Sequence, residues 1–159
     1  MTKSGVSIVG IRSRYAKDFE ILLKSWVYND FLSDFHGDSF MSHPRVDCIQ
    51  LMIVVENYEL IGGAVISSDL IFNQFQSYKH LEQADLLQEN GYGNFSYFCI
   101  KASRRKLGFA SKVLRYIDKS KLPFWLACKP TLVDFYTSRG FRIVVEADER
   151  NNAILCTQP

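Results

Sequence analysis

The sequence predicts an α/β fold of the mixed α+β type, built on one sheet of about seven strands with about four helices. Seven short apolar runs have the length and composition of strands. Amphipathic helical patterns separate some of these runs, and short turns that indicate hairpins separate others. Because both kinds of connection occur in one chain, we expect helices packed on a mixed sheet.

The elements of the first half are read from periodicity and from turn residues. Residues 6–11 form the first predicted strand, and Ser13 is a suitable N-cap for a helix whose apolar positions recur at helical spacing. Residues 29–47 are expected to hold a short helix followed by a loop. Residues 49–56 and 60–68 are two apolar runs around a short turn, which predicts an antiparallel hairpin.

The second half continues with alternating helices and strands. We predict a helix around residues 78–88, a strand at 95–100, a basic helix with its apolar face at 110–117, a strand at 123–128, a short helix at 132–138 and a closing hairpin of 141–146 with 152–157. Gly140 follows the short helix and is a suitable residue to end it. With no repeat, linker or low-complexity tract, residues 1–159 are expected to be a single domain.

Composition excludes several classes of protein. The chain has 159 residues, of which 47% are hydrophobic and 23% charged, which is typical of a globular domain. No apolar run approaches the roughly 20 residues that span a bilayer, and the N-terminus lacks the pattern of a signal peptide. Four well-separated cysteines indicate structural thiols, and three isolated histidines predict no metal site. We therefore expect a cytoplasmic protein with no metal and no membrane contact.

Positive charge is concentrated in one window of the chain. Between residues 101 and 121 there are eight basic residues and one acid, although the net charge of the whole chain is only +2. This asymmetry indicates a local anionic partner or, alternatively, a solvated basic edge. A nucleic-acid partner is not expected, because the window contains no recognition helix or RNA-binding motif.

A glycine turn stands between the strand at 95–100 and the basic helix. Gly108 allows close approach of the backbone to a ligand, and the N–H groups of a first helical turn can bind an anion. The pattern of a nucleoside-triphosphate loop and the glycine pattern of a dinucleotide fold are both absent from the sequence. The turn therefore indicates a phosphate site of another kind.

Two motifs resemble those of the GNAT N-acetyltransferase superfamily. The stretch RKLGFA, residues 105–110, is similar to the signature Q/R-x-x-G-x-G/A, and FYTSRGF, residues 135–141, is similar to the second landmark of that family. The strand YFCI precedes the first motif directly, as in the family, and the order of strands agrees over nearly the whole chain. The resemblance implies a GNAT-like acyl-CoA N-acyltransferase fold, with a split between the fourth and fifth strands.

The resemblance also implies a cofactor and the residues that bind it. The expected acetyl donor is acetyl-CoA, whose pyrophosphate would be held by backbone amides of the glycine turn. Backbone groups of the preceding strand would pair with its pantetheine arm, and Tyr136 would protonate the departing thiolate. The implied cofactor-binding residues are Phe98, Cys99, Ile100, Arg105, Lys106, Leu107, Gly108, Phe109, Ala110 and Ser111.

Three departures from the family pattern limit this assignment. Lys106 occupies a position where a second glycine is common, and Lys129 one where asparagine is common. The strand 95–100 carries no Glu or Asp, although many members place a general base there. The conceivable bases are Asp69, Asp85, Glu89, Glu56 and Tyr97, with none favoured, and a water chain is an alternative.

The sequence leaves the acceptor open beyond its being an amine. The segments that would shape its site carry aromatic residues that are compatible with a substrate groove, a homodimer contact or core packing. These are Trp26, Tyr28, Phe31, Phe35, Phe40, Phe72, Phe75, Tyr78 and Tyr92. The predicted function is acetyl transfer to a primary amine in a ternary complex, and the alternative is a non-catalytic acyl-CoA sensor or interaction module of the same fold.

Overall fold

The computed structural model describes residues 4–26, 39–69 and 77–158. This part of the chain contains seven strands, numbered β1 to β7, and four α-helices, numbered α1 to α4. Their order is β1 (Ser4–Gly10), α1 (Arg14–Trp26), β2 (Ile49–Glu56), β3 (Glu59–Ser67), α2 (Tyr78–Glu89), β4 (Gly93–Ile100), α3 (Phe109–Lys119), β5 (Phe124–Cys128), α4 (Val133–Thr137), β6 (Phe141–Val145) and β7 (Ala153–Thr157).

Strand pairing confirms the predicted mixed sheet. The hydrogen-bonded order is β1-β2-β3-β4-β5-β7-β6. The pair β4–β5 is parallel and joins Gly93 to Phe124 and Asn94 to Trp125, whereas β1–β2, β5–β7 and β6–β7 are antiparallel. Both of these parallel residue pairs lie at the start of β4.

The described residues form two compact units. One draws on Met1–Ile66 and Tyr97–Val113, and the other on Ser67–Ser96 and Leu114–Pro159. We call them the N-terminal unit and the C-terminal unit and describe each by itself. The predicted single domain over residues 1–159 stays a prediction.

The N-terminal unit is built on the β1–β2 pair and on α1. Ser13 precedes α1 as predicted, and its Oγ accepts a hydrogen bond from the Tyr15 backbone N–H at 3.3 Å. The apolar face of α1 is buried, and Phe19 stacks on Phe40 with 6.1 Å between ring centroids. Residues 27–38, which hold most of the predicted second helix, lie outside the described residues. Two short 3₁₀ turns, Phe40–Ser42 and Val46–Cys48, follow them.

The C-terminal unit has a separate apolar core. Trp125 of β5 is fully buried and packs in a cluster with Ile154, Cys156, Val145 and residues of α2. His80 of α2 is buried as well, and its Nε2 lies 3.1 Å from the Glu146 carbonyl oxygen. The imidazole therefore joins α2 to the end of β6, and among the described residues no group of side chains could hold a metal ion.

The predicted helices and strands agree with the observed ones to within a few residues. The differences lie at the ends, since β1 and β4 each begin two residues before the predicted start. Glycine and polar residues at these ends carry little apolar signal, so the pattern could not include them. Within the described ranges, no helix is long and apolar enough to cross a membrane.

Candidate functional site

The predicted phosphate-binding turn lies in the N-terminal unit, between the end of β4 and the start of α3. After Ile100 the chain makes a 3₁₀ turn at Ala102–Arg104 and then passes through two residues with positive φ. Lys106 has a φ of 62° and Gly108 a φ of 86°. We call residues 101–108 the β4–α3 loop.

Gly108 is required by the backbone and not by packing. A Cβ atom placed on this glycine would meet nothing within 4 Å, so no neighbouring group excludes a side chain. The positive φ excludes it, because left-handed conformations are strained for L residues. The open space over Gly108 is also where an added methyl group would meet a ligand lying on the loop.

Lys106 takes a conformation that glycine usually supplies. The left-handed region costs a non-glycine residue about 1 kcal/mol. The sequence predicts a loss of backbone freedom at this position, and the φ of 62° shows that the lysine nevertheless adopts the glycine-like geometry. The lysine therefore adds a charge to the loop at a cost in backbone stability.

The first N–H groups of α3 point out of the helix. The first intrahelical bond runs from the Lys112 N–H to the Gly108 carbonyl at 3.0 Å. The N–H groups of Phe109 and Ala110 precede it, so no carbonyl within the helix can accept from them. Such groups, together with the partial positive charge of a helix N-terminus, can bind an anion.

The cations of the loop are engaged in contacts within the protein. Arg104 forms an ion pair with Glu56 at 2.8 Å, and Lys101 one with Glu59 at 3.2 Å. Arg105 Nε donates to the Ile100 carbonyl at 3.1 Å, and its guanidinium lies over the Trp26 ring at 4.4 Å from the centroid. These contacts hold the loop to β2, β3, β4 and α1.

Two further cations of the basic window lie on or near the loop. The Lys112 ammonium donates to the carbonyl and the hydroxyl of Ser4 on β1. Lys106 is exposed at the tip of the loop. Four of the eight cations of the window, Lys101, Arg104, Arg105 and Lys112, thus have a structural contact in addition to any long-range attraction for an anion.

The end of β4 directs alternate backbone groups to opposite sides. The Lys101 N–H donates to the Ile61 carbonyl on β3 at 2.9 Å, and a Cβ on Gly62 would clash with the Cys99 carbonyl oxygen. The Lys101 N–H and the Cys99 carbonyl therefore lie on the β3 side of β4, whereas the Ile100 carbonyl accepts from Arg105 Nε. Burial raises the pKa of the Cys99 thiol to about 12, partly offset by Arg105, so this thiol is protonated at neutral pH.

Tyr136 lies on α4 in the C-terminal unit and is 8% exposed. Its ring packs edge-on against Phe135 and Phe141, with centroid distances of 5.1 and 5.5 Å. Burial, and to a lesser extent the Cys128 thiol, raises the pKa of the Tyr136 phenol above its ordinary value. The phenol is therefore a protonated acid across the physiological range.

The conceivable bases lie in different surroundings. Glu56 has a side chain that is 12% exposed and is ion-paired with Arg104. Asp85 and Glu89 are exposed on α2, and Asp69 is half-buried. Tyr97 has a φ of 51° in the middle of β4, which marks an irregularity in that strand. A role as base stays a prediction for all five.

The aromatic residues expected near an acceptor do not share one environment. Phe40 is fully buried, whereas Tyr78 is 79% exposed and Trp26 is 49% exposed. Tyr92 packs at the edge of the core of the C-terminal unit. Lys129 is exposed and precedes the turn that leads into α4. The predicted residues Tyr28, Phe31, Phe35, Phe72 and Phe75 lie outside the described residues.

Sequence reasoning missed the contact between Trp26 and Arg105. No motif contains both residues, because one ends α1 and the other follows β4. The only signal was a tryptophan at the end of an amphipathic helix, which several kinds of contact could explain. The four cysteines are free thiols as expected, with Cys99, Cys128 and Cys156 buried.

Comparison with known proteins relates the chain to solved structures. No family model and no curated protein matches it. FeeM, an N-acyl amino acid synthase from uncultured soil microbes, superposes with a TM-score of 0.61 at 13% identity over 98% of this chain and 89% of its own. ElaA from Escherichia coli gives 0.61 at 15% identity, over 98% and 100%. A Bacillus subtilis acetyltransferase in complex with CoA gives 0.54 at 14% identity, over 99% of each chain.

Proposed function

We propose, on the premise that this chain has the fold of the GNAT superfamily, that it is an N-acyltransferase acting from an acyl-CoA donor on a primary amine. The observation that carries the proposal is the β4–α3 loop. Its two left-handed residues, Lys106 and Gly108, lie directly before the outward N–H groups of α3. The RKLGFA motif further favours acetyl-CoA as the donor, although FeeM is an N-acyl amino acid synthase.

The residues of the loop fit the diphosphate of coenzyme A. Backbone amides from Arg105 through Ser111 would hold the two phosphates, and Gly108 leaves the space above them open. The exposed ammonium of Lys106 adds positive charge at the tip of the loop. When bound, acyl-CoA supplies the thioester that carries the acyl group.

The backbone of β4 would orient the pantetheine arm. Backbone groups of Phe98 and Ile100 would pair with the arm, because an amide-bearing ligand can add to a strand edge. Arg105 Nε already donates to the Ile100 carbonyl, which fixes the carbonyl that ends the strand. Cys99 contributes backbone between them, and its protonated thiol does not act as a nucleophile.

Tyr136 would serve as the general acid. The amine nitrogen forms a bond to the acyl carbon as the carbon–sulfur bond breaks, and the Tyr136 hydroxyl donates its proton to the departing thiolate. Because burial raises its pKa, the phenol carries its proton at neutral pH, as a general acid must. β4 carries no carboxylate, so the amine would lose its proton to solvent, through an ordered water, or to one of the five conceivable bases named above.

A non-catalytic acyl-CoA sensor is the second candidate. The observation in its favour is the absence of Asp and Glu from β4, together with the ion pair that holds Glu56 against Arg104. A sensor would need the β4–α3 loop to bind acyl-CoA but would not need Tyr136 as a general acid. The two functions therefore differ in turnover and not in cofactor binding.

The test separates binding from turnover with a matched pair of glycine variants. Gly108→Ala and Gly91→Ala introduce the same methyl group at φ values of 86° and 85°, and neither added Cβ meets an atom within 4 Å. Equal backbone strain is expected in both. Calorimetric titration with coenzyme A should show at least tenfold weaker binding for Gly108→Ala and unchanged binding for Gly91→Ala.

Turnover is then measured as free thiol released from acetyl-CoA in the presence of amines, amino acids and peptides. Sustained release supports the transferase, and the same assay with butanoyl- and octanoyl-CoA ranks the acyl donors. Coenzyme A binding without release across the panel would favour the sensor. Equal binding by the wild type and Gly108→Ala would contradict both functions.

A further inference from the structure

An open groove lies on the N-terminal unit, away from the residues assigned to coenzyme A. It has a cavity volume of about 520 Å³, within the range of roughly 300–1000 Å³ that is usual for small-molecule sites. We call it the β1 groove. It lies against one face of the β1–β2 pair, between the first residues of α1 and the turn at residues 57–58.

The floor of the β1 groove combines apolar and very small side chains. The β1–β2 register pairs Gly5 with Val55 and Ser7 with Ile53, which places these residues on one face of the two strands. Val9 continues the same face along β1. Gly5 and Ser7 are exposed and contribute almost no side-chain volume, so half-buried Val9 and Val55 offer an apolar surface to a ligand, while Ile53 of the same face is buried.

One cation stands at the rim of the β1 groove. The Arg14 guanidinium carbon lies 4.7 Å from the Tyr15 ring centroid and 5.9 Å from that of Tyr58. Arg14 Nη2 donates to the Tyr15 hydroxyl at 2.6 Å, which uses one of the five guanidinium N–H groups and orients the others. Among the described residues that line the groove, Arg14 is the only charged one.

Tyr58 is held over the groove at a cost in backbone energy. It is 85% exposed and has a φ of 66°, directly after Asn57 with a φ of 51°. Two positive φ values are typical of a type I′ hairpin turn, whose second position usually holds glycine. A bulky residue there is a conformational outlier, and its exposed ring makes no buried core contact that would explain it.

We propose that the β1 groove binds a small carboxylic acid with an apolar body. The carboxylate accepts hydrogen bonds from the oriented Arg14 guanidinium and from the Tyr15 hydroxyl, whose oxygen already accepts from Arg14. The apolar body lies on Val9 and Val55, and the Tyr58 ring covers it from the turn. This site is independent of the proposed coenzyme A site, since no residue is shared between them.

The test uses three eight-carbon probes that differ in the head group: octanoate, octanamide and octylamine. Binding is followed by NMR chemical-shift titration of the full-length protein without coenzyme A. We expect octanoate to shift the Ser7, Val9 and Tyr58 amides and to bind at least tenfold more tightly than octanamide, with no saturable binding of octylamine. Equal binding of octanoate and octanamide would overturn the proposal, as would an absence of octanoate binding.

Substitutions test whether the named side chains make the contacts with octanoate. Arg14→Gln should weaken octanoate at least tenfold, and Arg14→Lys should restore part of the loss. Arg12→Gln, two residues away and outside the groove lining, should leave the affinity unchanged. Loss of octanoate affinity in Arg12→Gln equal to that in Arg14→Gln would overturn the assigned site.

Tyr58→Gly distinguishes a ligand contact from a role in folding. Glycine relieves the positive φ, so the melting temperature should not fall, while octanoate affinity drops several-fold with the loss of the ring. A lower melting temperature with unchanged octanoate affinity would show that Tyr58 serves the fold and would contradict its place in the site.

Discussion

The β4–α3 loop and the surroundings of Tyr136 are held in place by opposite means. The loop is exposed, and its charged side chains attach it to its neighbours, as Arg104 does with Glu56 and Arg105 with Ile100 and Trp26. Tyr136 is buried between the aromatic rings of Phe135 and Phe141. Polar contacts hold the backbone of the loop in place, whereas apolar packing raises the pKa of the Tyr136 phenol.

The difference shows how the two parts of the proposed reaction are separated in the chain. In the proposed reaction, the ligand-binding groups of the loop would be backbone amides, which the side chains position. At Tyr136 the side chain itself would react, and its surroundings act through desolvation. Variants of the loop should therefore change affinity and stability, whereas variants at Tyr136 should change turnover.

The largest expected effect is that of Tyr136→Phe. Phenylalanine keeps the ring contacts and removes the acid, so the turnover number should fall by about 100-fold or more, while coenzyme A affinity stays within twofold. The measurement is thiol release under saturating acetyl-CoA. Tyr116→Phe on α3 is the matched control and should retain activity. An equal loss in both variants would contradict the role of Tyr136.

The same variant should alter stability at alkaline pH. Because burial raises the folded-state pKa of Tyr136, the unfolded tyrosine ionises first as pH rises through its ordinary pKa of about 10. The free energy of unfolding therefore falls above that pH and is constant, as far as Tyr136 is concerned, below it. Urea denaturation at increasing pH should show a smaller alkaline loss for Tyr136→Phe than for the wild type.

An intermediate effect is expected from Arg105→Ala. This change removes both the hydrogen bond to the Ile100 carbonyl and the stacking on Trp26, so coenzyme A should bind about tenfold more weakly. Trp26→Ala removes the stacking alone and should weaken coenzyme A binding a few-fold. Arg115 is an exposed arginine on α3, so Arg115→Ala controls for the loss of one positive charge. An equal loss of coenzyme A affinity in Arg115→Ala would show that charge, and not the position of the loop, causes the effect.

A smaller effect, of opposite sign, is expected from Lys106→Gly. Relief of the left-handed lysine should raise the free energy of unfolding by up to about 1 kcal/mol. Lys121 has a φ of 52° and lies outside the loop, so Lys121→Gly should give a similar gain. Only Lys106→Gly should also lower coenzyme A affinity, through its lost charge. A loss of stability in Lys106→Gly alone would show that the lysine makes a stabilising contact.

The smallest expected effect concerns the ion pair of Glu56 with Arg104. Glu56→Gln should lower the free energy of unfolding by about 0.5 kcal/mol at low salt and by less at high salt. A double-mutant cycle with Arg104→Gln isolates the pair. A coupling energy that does not change with salt would contradict an electrostatic origin.

Local signals were sufficient to predict most of the fold. Alternation and apolar spacing gave the strands and helices, and Gly108 marked the loop because glycine has few other reasons to stand between a strand and a basic helix. The contacts that each cation makes could not be predicted. Whether Arg104 faces a ligand or Glu56 depends on strand register and on side-chain rotamers, which no local pattern encodes.

Tyr58 illustrates a second limit of sequence reasoning. Its turn was predicted from the two flanking apolar runs, but the positive φ and the nearness of its ring to Arg14 follow from the geometry of the hairpin and of α1 together. Trp26 and Arg105 are a similar case. Contacts between residues distant in sequence arise only after the strands have paired.

The buried cysteines have a consequence for the proposed acyltransferase, which would release a thiol product. Free coenzyme A can enter mixed disulfides, which form when a thiolate attacks an oxidised partner. Burial raises the pKa of Cys99 to about 12 and of Cys128 to about 11, and raises that of Cys156. These three residues therefore present neither an accessible sulfur nor a thiolate, and half-buried Cys48 is the remaining point of redox exchange with the product.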